Sequence, residues 1–170
     1  MTDDWIPADE WRTIVANAPI VSVDLVVRVG DDAADDERHR ADAESDERAD
    51  HGVLLGERRN PPAKGEWFVP GGRVRKNERL DEAVHRVARE ELGVDVAIER
   101  RLGAYEHLYD ASELDGVDSK HYLANGFVVR PASASFAPDD QHAELRRFSP
   151  PFPDVHPYVE AYLADAGLVE

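Results

Sequence analysis

The segment Trp67–Val94 reads WFVPGGRVRKNERLDEAVHRVAREELGV and joins an extended piece to a helix through a tight turn. Glu66 to Val69 has the aromatic and β-branched character of a short strand. Pro70, Gly71 and Gly72 then let the backbone bend and come close to a neighbour. Glu78 to Leu92 carries apolar residues at helical spacing, and Gly93 supplies the left-handed residue with which such helices commonly end. At about 100° per residue, Leu80, Val84 and Val87 fall on one side and mark the buried stripe. Glu91 falls inside that stripe. A carboxylate in an apolar seam has to find a cation or take up a proton, because an unpaired buried charge is expensive. An arginine partner and a metal ion are both open at this point. Arg86 and Glu90 lie one turn apart on the flank, where both can reach the same object.

The spacing narrows the choice. Gly72, Glu78, Arg86, Glu90, Glu91, Gly93 and Val94 fit the fixed positions of G-x5-E-x7-R-E-U-x-E-E-x-G-U, so the segment resembles the Nudix box. Two positions depart from it. Ala88 stands where the box prefers a larger aliphatic residue. Val87 stands where it has its first helix glutamate, which the resemblance implies would hold metal or activate water. Another group must then supply the base.

At 170 residues the chain is expected to form one domain, 1–170, around a single core. It has no long apolar run and no signal-peptide pattern, which predicts a soluble cytoplasmic protein with no membrane partner. The absence of cysteine excludes disulfides and thiolate metal sites. A formal net charge of -16 argues against nucleic acid as a partner. The acid-rich, lysine-poor composition resembles that of cytosolic proteins from salt-loving microbes. From Glu57 to Arg101, however, 11 Lys/Arg stand against 9 Asp/Glu, a balance of +2, whereas the remaining residues hold 9 against 27, or -18. The segment that carries the box is therefore the one suited to an anionic ligand.

Around it the pattern predicts a helix from Trp5 to Ala16, with Trp11, Ile14 and Val15 against the body, and a β-branched strand from Ile20 to Val29. Asp24 interrupts that strand and is either on a solvent face or in a site. Residues 31–50 hold ten acids, three bases and no large apolar side chain, which reads as an exposed acidic insertion. Gly52 to Arg59 forms a second strand, in a hairpin with the Trp67 strand across Asn60 to Gly65. Further strands are expected at Val94–His107, with bends, at Lys120–Val129 and at Ala143–Phe148, with loops at Leu108–Asp118 and Pro131–Asp140. A closing helix, His156–Ala166, turns Val159, Tyr162 and Leu163 inward. Strands on either side of an embedded helix, with helices at both ends, predict an α+β fold, a mixed sheet sandwiched between helices.

An inward helix carboxylate beside a glycine turn makes a hard oxygen site suited to Mg2+ or Mn2+. Arg58, Arg73 and Arg86 could bind a diphosphate beside it. Such parts favour a reaction that expels a nucleoside diphosphate, since they act on charge that grows towards the transition state. The loop Pro138–His142 offers His142 as the missing base, an imidazole suited to proton abstraction near neutrality.

WFVPGGRV, ELGV, HLYD at His107–Asp110, HY at His121–Tyr122 and PDDQH at Pro138–His142 together resemble the GDP-mannose mannosyl hydrolase branch of the Nudix superfamily. The likeness runs from about Pro19 to Leu163, interrupted by the acidic insertion. It implies a Nudix fold, an α/β/α sandwich, and Mg2+-dependent hydrolysis of GDP-mannose or GDP-glucose by inverting water attack at the anomeric carbon. By position it implies metal held by the Gly71 carbonyl, Glu91, Gln141 and the diphosphate, with His142 as general base. Arg58, Arg73, Arg86 and Tyr122 would clamp the leaving group, Asp24 would orient the sugar and His107 would touch it. A homodimer is implied too. Glu90 departs from the branch, which tends to carry a small residue there, and is a further metal candidate. The alternatives are a Nudix pyrophosphohydrolase that cleaves a P-O-P bond, and a Nudix-like regulator that binds a nucleotide without turning it over.

Overall fold

The structure, a computed structural model, describes residues 6–30, 51–137 and 142–169, with the backbone alone for His51, His142 and Ala143. The acidic insertion, Trp5 and Gln141 lie outside the described residues. The elements are α1 (Ala8–Asn17), β1 (Ile20–Gly30), β2 (His51–Arg58), β3 (Trp67–Phe68), β4 (Gly71–Arg73), α2 (Leu80–Leu92), β5 (Val96–Tyr109), β6 (Lys120–Pro131), β7 (His142–Phe148) and α3 (Pro157–Asp165). No helix among the described residues is long and apolar enough to cross a membrane.

The strands form one mixed sheet in the order β3-β2-β1-β6-β5, with β4 pairing β1 and β7 pairing β2. β1 and β6 run parallel from Ile20↔Tyr122 to Val27↔Val129, and the other pairs are antiparallel. Successive side chains of a strand point to opposite faces. Val23, Leu25, Val27 and Val29 therefore pack with Val84, Val87 and Leu92 of α2, while Val26 meets Val159, Tyr162 and Leu163 of α3. Burial on both faces is why β1 reads as a nearly continuous apolar run. Asp24, left open by the sequence, is buried at 8% exposure, so the solvent-face alternative falls.

The expected elements are found with shifted ends. The box helix starts at Leu80 rather than Glu78, because the Glu78 carboxylate is taken up by the preceding turn, where the Arg75 N–H donates to it at 2.8 Å. Leu108 and Tyr109, expected in a loop, continue β5, whose anticipated bends are register shifts at Ile98/Arg100 and Arg101/Gly103. α3 begins at Pro157, with His156 capping it through Nδ1. Ile14 does not pack on the body as expected and is 39% exposed. Among the described residues Trp11 and Val15 of α1 rest with Ile20, Val117, Leu114 and Tyr122, and Ile14 sits about 100° from Val15 around the helix.

Candidate active site

The glycine turn is sewn onto β1. Gly71 is the strand partner of Asp24 and Gly72 of Val23, the Leu25 N–H donates to Pro70 O at 2.8 Å, and the Val74 N–H donates to Val21 O at 2.9 Å. Both glycines are required for space. A Cβ on Gly72 would lie 2.9 Å from Val87 Cγ2, and one on Gly71 would run into the Asp24 carboxylate. Val87, 1% exposed, thus fills the place of a helix carboxylate with a methyl pair pressed on the turn.

Arg86 is the hub of this corner. Its guanidinium donates to Glu78 at 2.6 and 2.8 Å, to Glu90 at 2.8 Å and to the Arg73 carbonyl at 2.7 Å. These bonds hold the Glu78 carboxyl below its ordinary range and raise the guanidinium above its own. Arg86, expected beside the leaving group, has its donors turned to protein acceptors that fix the loop between β4 and α2. Glu90 also receives Arg75 at 3.3 Å, and Glu91 lies buried on the inner side of α2.

Asp24 faces the other layer. Its Oδ2 accepts from the Tyr162 hydroxyl at 2.7 Å and lies 3.9 Å from His107 Nδ1. Burial pushes its carboxyl up to about 6, against the opposing pull of the Tyr162 bond and of Arg58. The buried His107 is pushed down to about 4, by burial first and the neighbouring His156 second, and is therefore neutral. Tyr158 stacks on its ring at 4.0 Å and 7°, and the Tyr158 hydroxyl donates to Leu108 O and accepts from Leu108 N, both at 2.9 Å. α3 thus supplies two tyrosines to this cluster of polar groups, and sequence reasoning assigned Tyr162 only to the core. The signal was its hydroxyl, since a buried tyrosine O–H needs an acceptor.

Three expected clamp residues lie nearby. The Arg58 guanidinium sits 5.8 Å over Phe68, within electrostatic range of Asp24 and Tyr109, and its buried Nε has no hydrogen-bond partner among the described residues. Arg73 rests on Trp11 at 3.9 Å, and Tyr122 is close enough to act on its charge. Ala137 lies at the end of the box helix, where its N–H donates to Leu92 O at 3.0 Å. The next described residue, His142, is the strand partner of Arg58. The positions of Gln141 and of the His142 side chain lie outside the described residues.

No cluster of three or more His, Cys, Asp or Glu side chains suited to a metal occurs among the described residues. Of the expected donors, both Glu90 oxygens already accept from Arg75 and Arg86, which leaves the Glu91 carboxylate and the Gly71 carbonyl as the hard oxygens a metal would use. Hard oxygens of this kind suit a divalent cation that keeps several waters and shares substrate phosphate oxygens rather than filling an all-protein cage.

Comparison with known proteins agrees with this geometry. A NUDIX domain family model matches residues 43–161. The chain is 54% identical over 158 residues, 93% of its length and 88% of the relative's, to the low-salt glycan biosynthesis protein Agl8 of Haloferax volcanii. Over 56 residues, 33% of each chain, it is 41% identical to an ADP-ribose pyrophosphatase of Methanocaldococcus jannaschii. The MutT NUDIX hydrolase structure from Burkholderia pseudomallei superposes with a TM-score of 0.61 at 23% identity, covering 88% of this chain and 98% of that one, and so shares the fold. A box helix buried through Val87 and Glu91, a glycine turn sewn to β1 and a match over most of the chain place it in the NUDIX family of hydrolases, with the α+β Nudix fold.

Proposed function

We propose that the protein hydrolyses a nucleoside diphosphate sugar, of the GDP-mannose or GDP-glucose type, by water attack at the anomeric carbon. The observation that carries this reading is Val87, 1% exposed and packed against Gly72. No carboxylate stands there to prime water beside the phosphates, so the base comes from elsewhere, and the buried acid at Asp24 lies across the turn at Gly71. Asp24, neutral His107 and the Tyr158 and Tyr109 rings offer the mixture of hydrogen-bonding and aromatic surface that suits a sugar. The name of the Haloferax relative, which ties it to glycan biosynthesis, accords with a sugar substrate.

In this reading His142, arriving opposite Arg58, takes a proton from water. The water oxygen bonds to the anomeric carbon as the carbon–oxygen bond to the diphosphate breaks, and the bonding pair leaves with the nucleoside diphosphate. Arg58, Arg73 and Tyr122 receive the growing charge, Asp24 orients the sugar, and Arg86 acts through the Arg73 carbonyl and Glu78 that it holds. Divalent-metal use is general in the family. Mg2+, with Mn2+ as substitute, would be held by the Gly71 carbonyl, Glu91, Gln141 and the diphosphate, and would supply positive charge to the leaving group. A homodimer belongs to the same reading, supported by the exposed Ile14 and Val21 on α1 and at the start of β1.

The retained Glu90 and the kinship with an ADP-ribose pyrophosphatase favour a second reading, cleavage of a P-O-P bond. Incubation with a panel of nucleotide sugars in Mg2+ separates the two. Nucleoside diphosphate plus free sugar is expected, and nucleoside monophosphate plus sugar phosphate would select the alternative. His142→Ala should lower turnover by about 10²- to 10⁴-fold, as loss of a general base does.

A further inference from the structure

Lys120 begins β6 as a buried ammonium, 5% exposed. Its Nζ donates to Glu113 Oε1 at 2.5 Å and to the Tyr122 hydroxyl at 3.4 Å. Burying a lysine is costly unless an anion faces it. Here that anion is a side chain 38% exposed, on the loop between β5 and β6. The loop is anchored by other residues. Leu114 and Val117 pack with Trp11, Val15 and Ile20, and the Val117 N–H donates to Leu114 O at 3.1 Å. The Glu113 carboxylate can therefore swing out without lifting the loop.

The same carboxylate and the Tyr122 phenol act electrostatically on Arg73. Ile20 pairs Tyr122 and Ser22 pairs Arg73, so the two residues border β1 on opposite sides, two residues apart along it. Lys120, paired with Glu113, and Arg73, within electrostatic reach of the same carboxylate, thus lie beside the phenol proposed above for the leaving group. A carboxylate and a phosphate present comparable anionic oxygens to such donors.

We infer that Lys120 is a further diphosphate-binding cation, and that Glu113 occupies its ammonium until the diphosphate of the substrate displaces it. This rests on the reading that a nucleoside diphosphate leaves past Arg73 and Tyr122. Lys120 then contributes binding, and Glu113 is an internal competitor that holds the lysine side chain in place.

Calorimetric titration of the full chain with GDP in Mg2+, and in parallel with inorganic pyrophosphate, tests the inference. Glu113→Gln keeps the shape and removes the competing charge, so it should bind GDP about three- to tenfold tighter, whereas a purely structural salt bridge predicts unchanged or weaker binding. Lys120→Met should weaken GDP by about tenfold or more, and Lys120→Arg should restore most of that loss. Glu113→Gln is the deciding variant, because it alters only an exposed group and leaves the buried ammonium in place. Wild-type binding with no tightening in Glu113→Gln overturns this inference alone. Absence of GDP and pyrophosphate binding in the wild type overturns both it and the function proposed above.

Discussion

Replacing Arg86 with alanine should unsettle the corner that joins the glycine turn to the box helix, and the size of the effect follows from what the guanidinium touches. Glu78 would lose both of its arginine bonds, and the Arg73 carbonyl and Glu90 would lose one each. Removing one partner of a fully buried charge pair costs about 3–5 kcal/mol. The pair here is partly wet, with side-chain exposures of 17% and 13%, and Glu78 keeps its bond from Arg75 N. That lowers the expected loss to about 2–3 kcal/mol. For a domain of this length each kcal/mol moves the midpoint by about 2–4 °C, so Arg86→Ala should melt about 4–12 °C lower by scanning calorimetry. Arg86→Lys should recover only a minor part, since an ammonium cannot reproduce the planar fork. Glu78→Gln combined with Arg86→Ala should cost less than the two single changes added together. A midpoint within about 1 °C of wild type, or strict additivity of the pair, would refute the assignment of Arg86 as the structural hub.

Gly72→Ala places a methyl 2.9 Å from Val87 Cγ2 and should destabilise the protein by about 1–3 kcal/mol in urea titrations, with Val87→Ala in the same chain recovering much of it. Two buried groups make opposed contributions to acid stability. His107 ionises near 4 in the folded chain against 6.5 in the unfolded one, so the unfolded state binds the proton first and stability falls as pH drops from 6.5 towards 4. Asp24 ionises near 6 against 3.8, so the folded state holds the proton first and stability falls as pH rises from 3.8 towards 6. Each is worth up to about 3 kcal/mol, and they nearly cancel in the wild type. In metal-free buffer Asp24→Asn should therefore lose more stability than wild type between pH 6.5 and 4, and His107→Gln less. Parallel curves for all three would contradict the burial argument.

The box helix and its cap were legible because 3.6-residue spacing, a closing glycine and a fixed set of charges all agree there. β1 was legible as a strand, but the facing of Asp24 was not, since a strand buried on both sides carries no alternation to mark one face. The link between Glu78 and Arg86 is implicit in their box spacing, yet only the coordinates show that the arginine is spent on protein acceptors rather than turned to a ligand. Tyr162 hid among Val159 and Leu163 as one more inward residue of α3, and its partner lies 138 residues away in the chain. Trp11 beneath Arg73 and Glu113 against Lys120 depend on how α1 and the loop between β5 and β6 settle on the sheet, which periodicity does not encode. Ile14 was misjudged because α1 rests on a narrower line than an apolar count suggests.

Hydrolysis of GDP-mannose in oxygen-18 water is the most direct measurement of where the bond breaks. Attack at the anomeric carbon, with His142 priming water on the Asp24 side, puts the heavy oxygen in the released sugar and none in the nucleotide. Heavy oxygen in a phosphate of the nucleotide product would contradict it and return the chemistry to phosphorus.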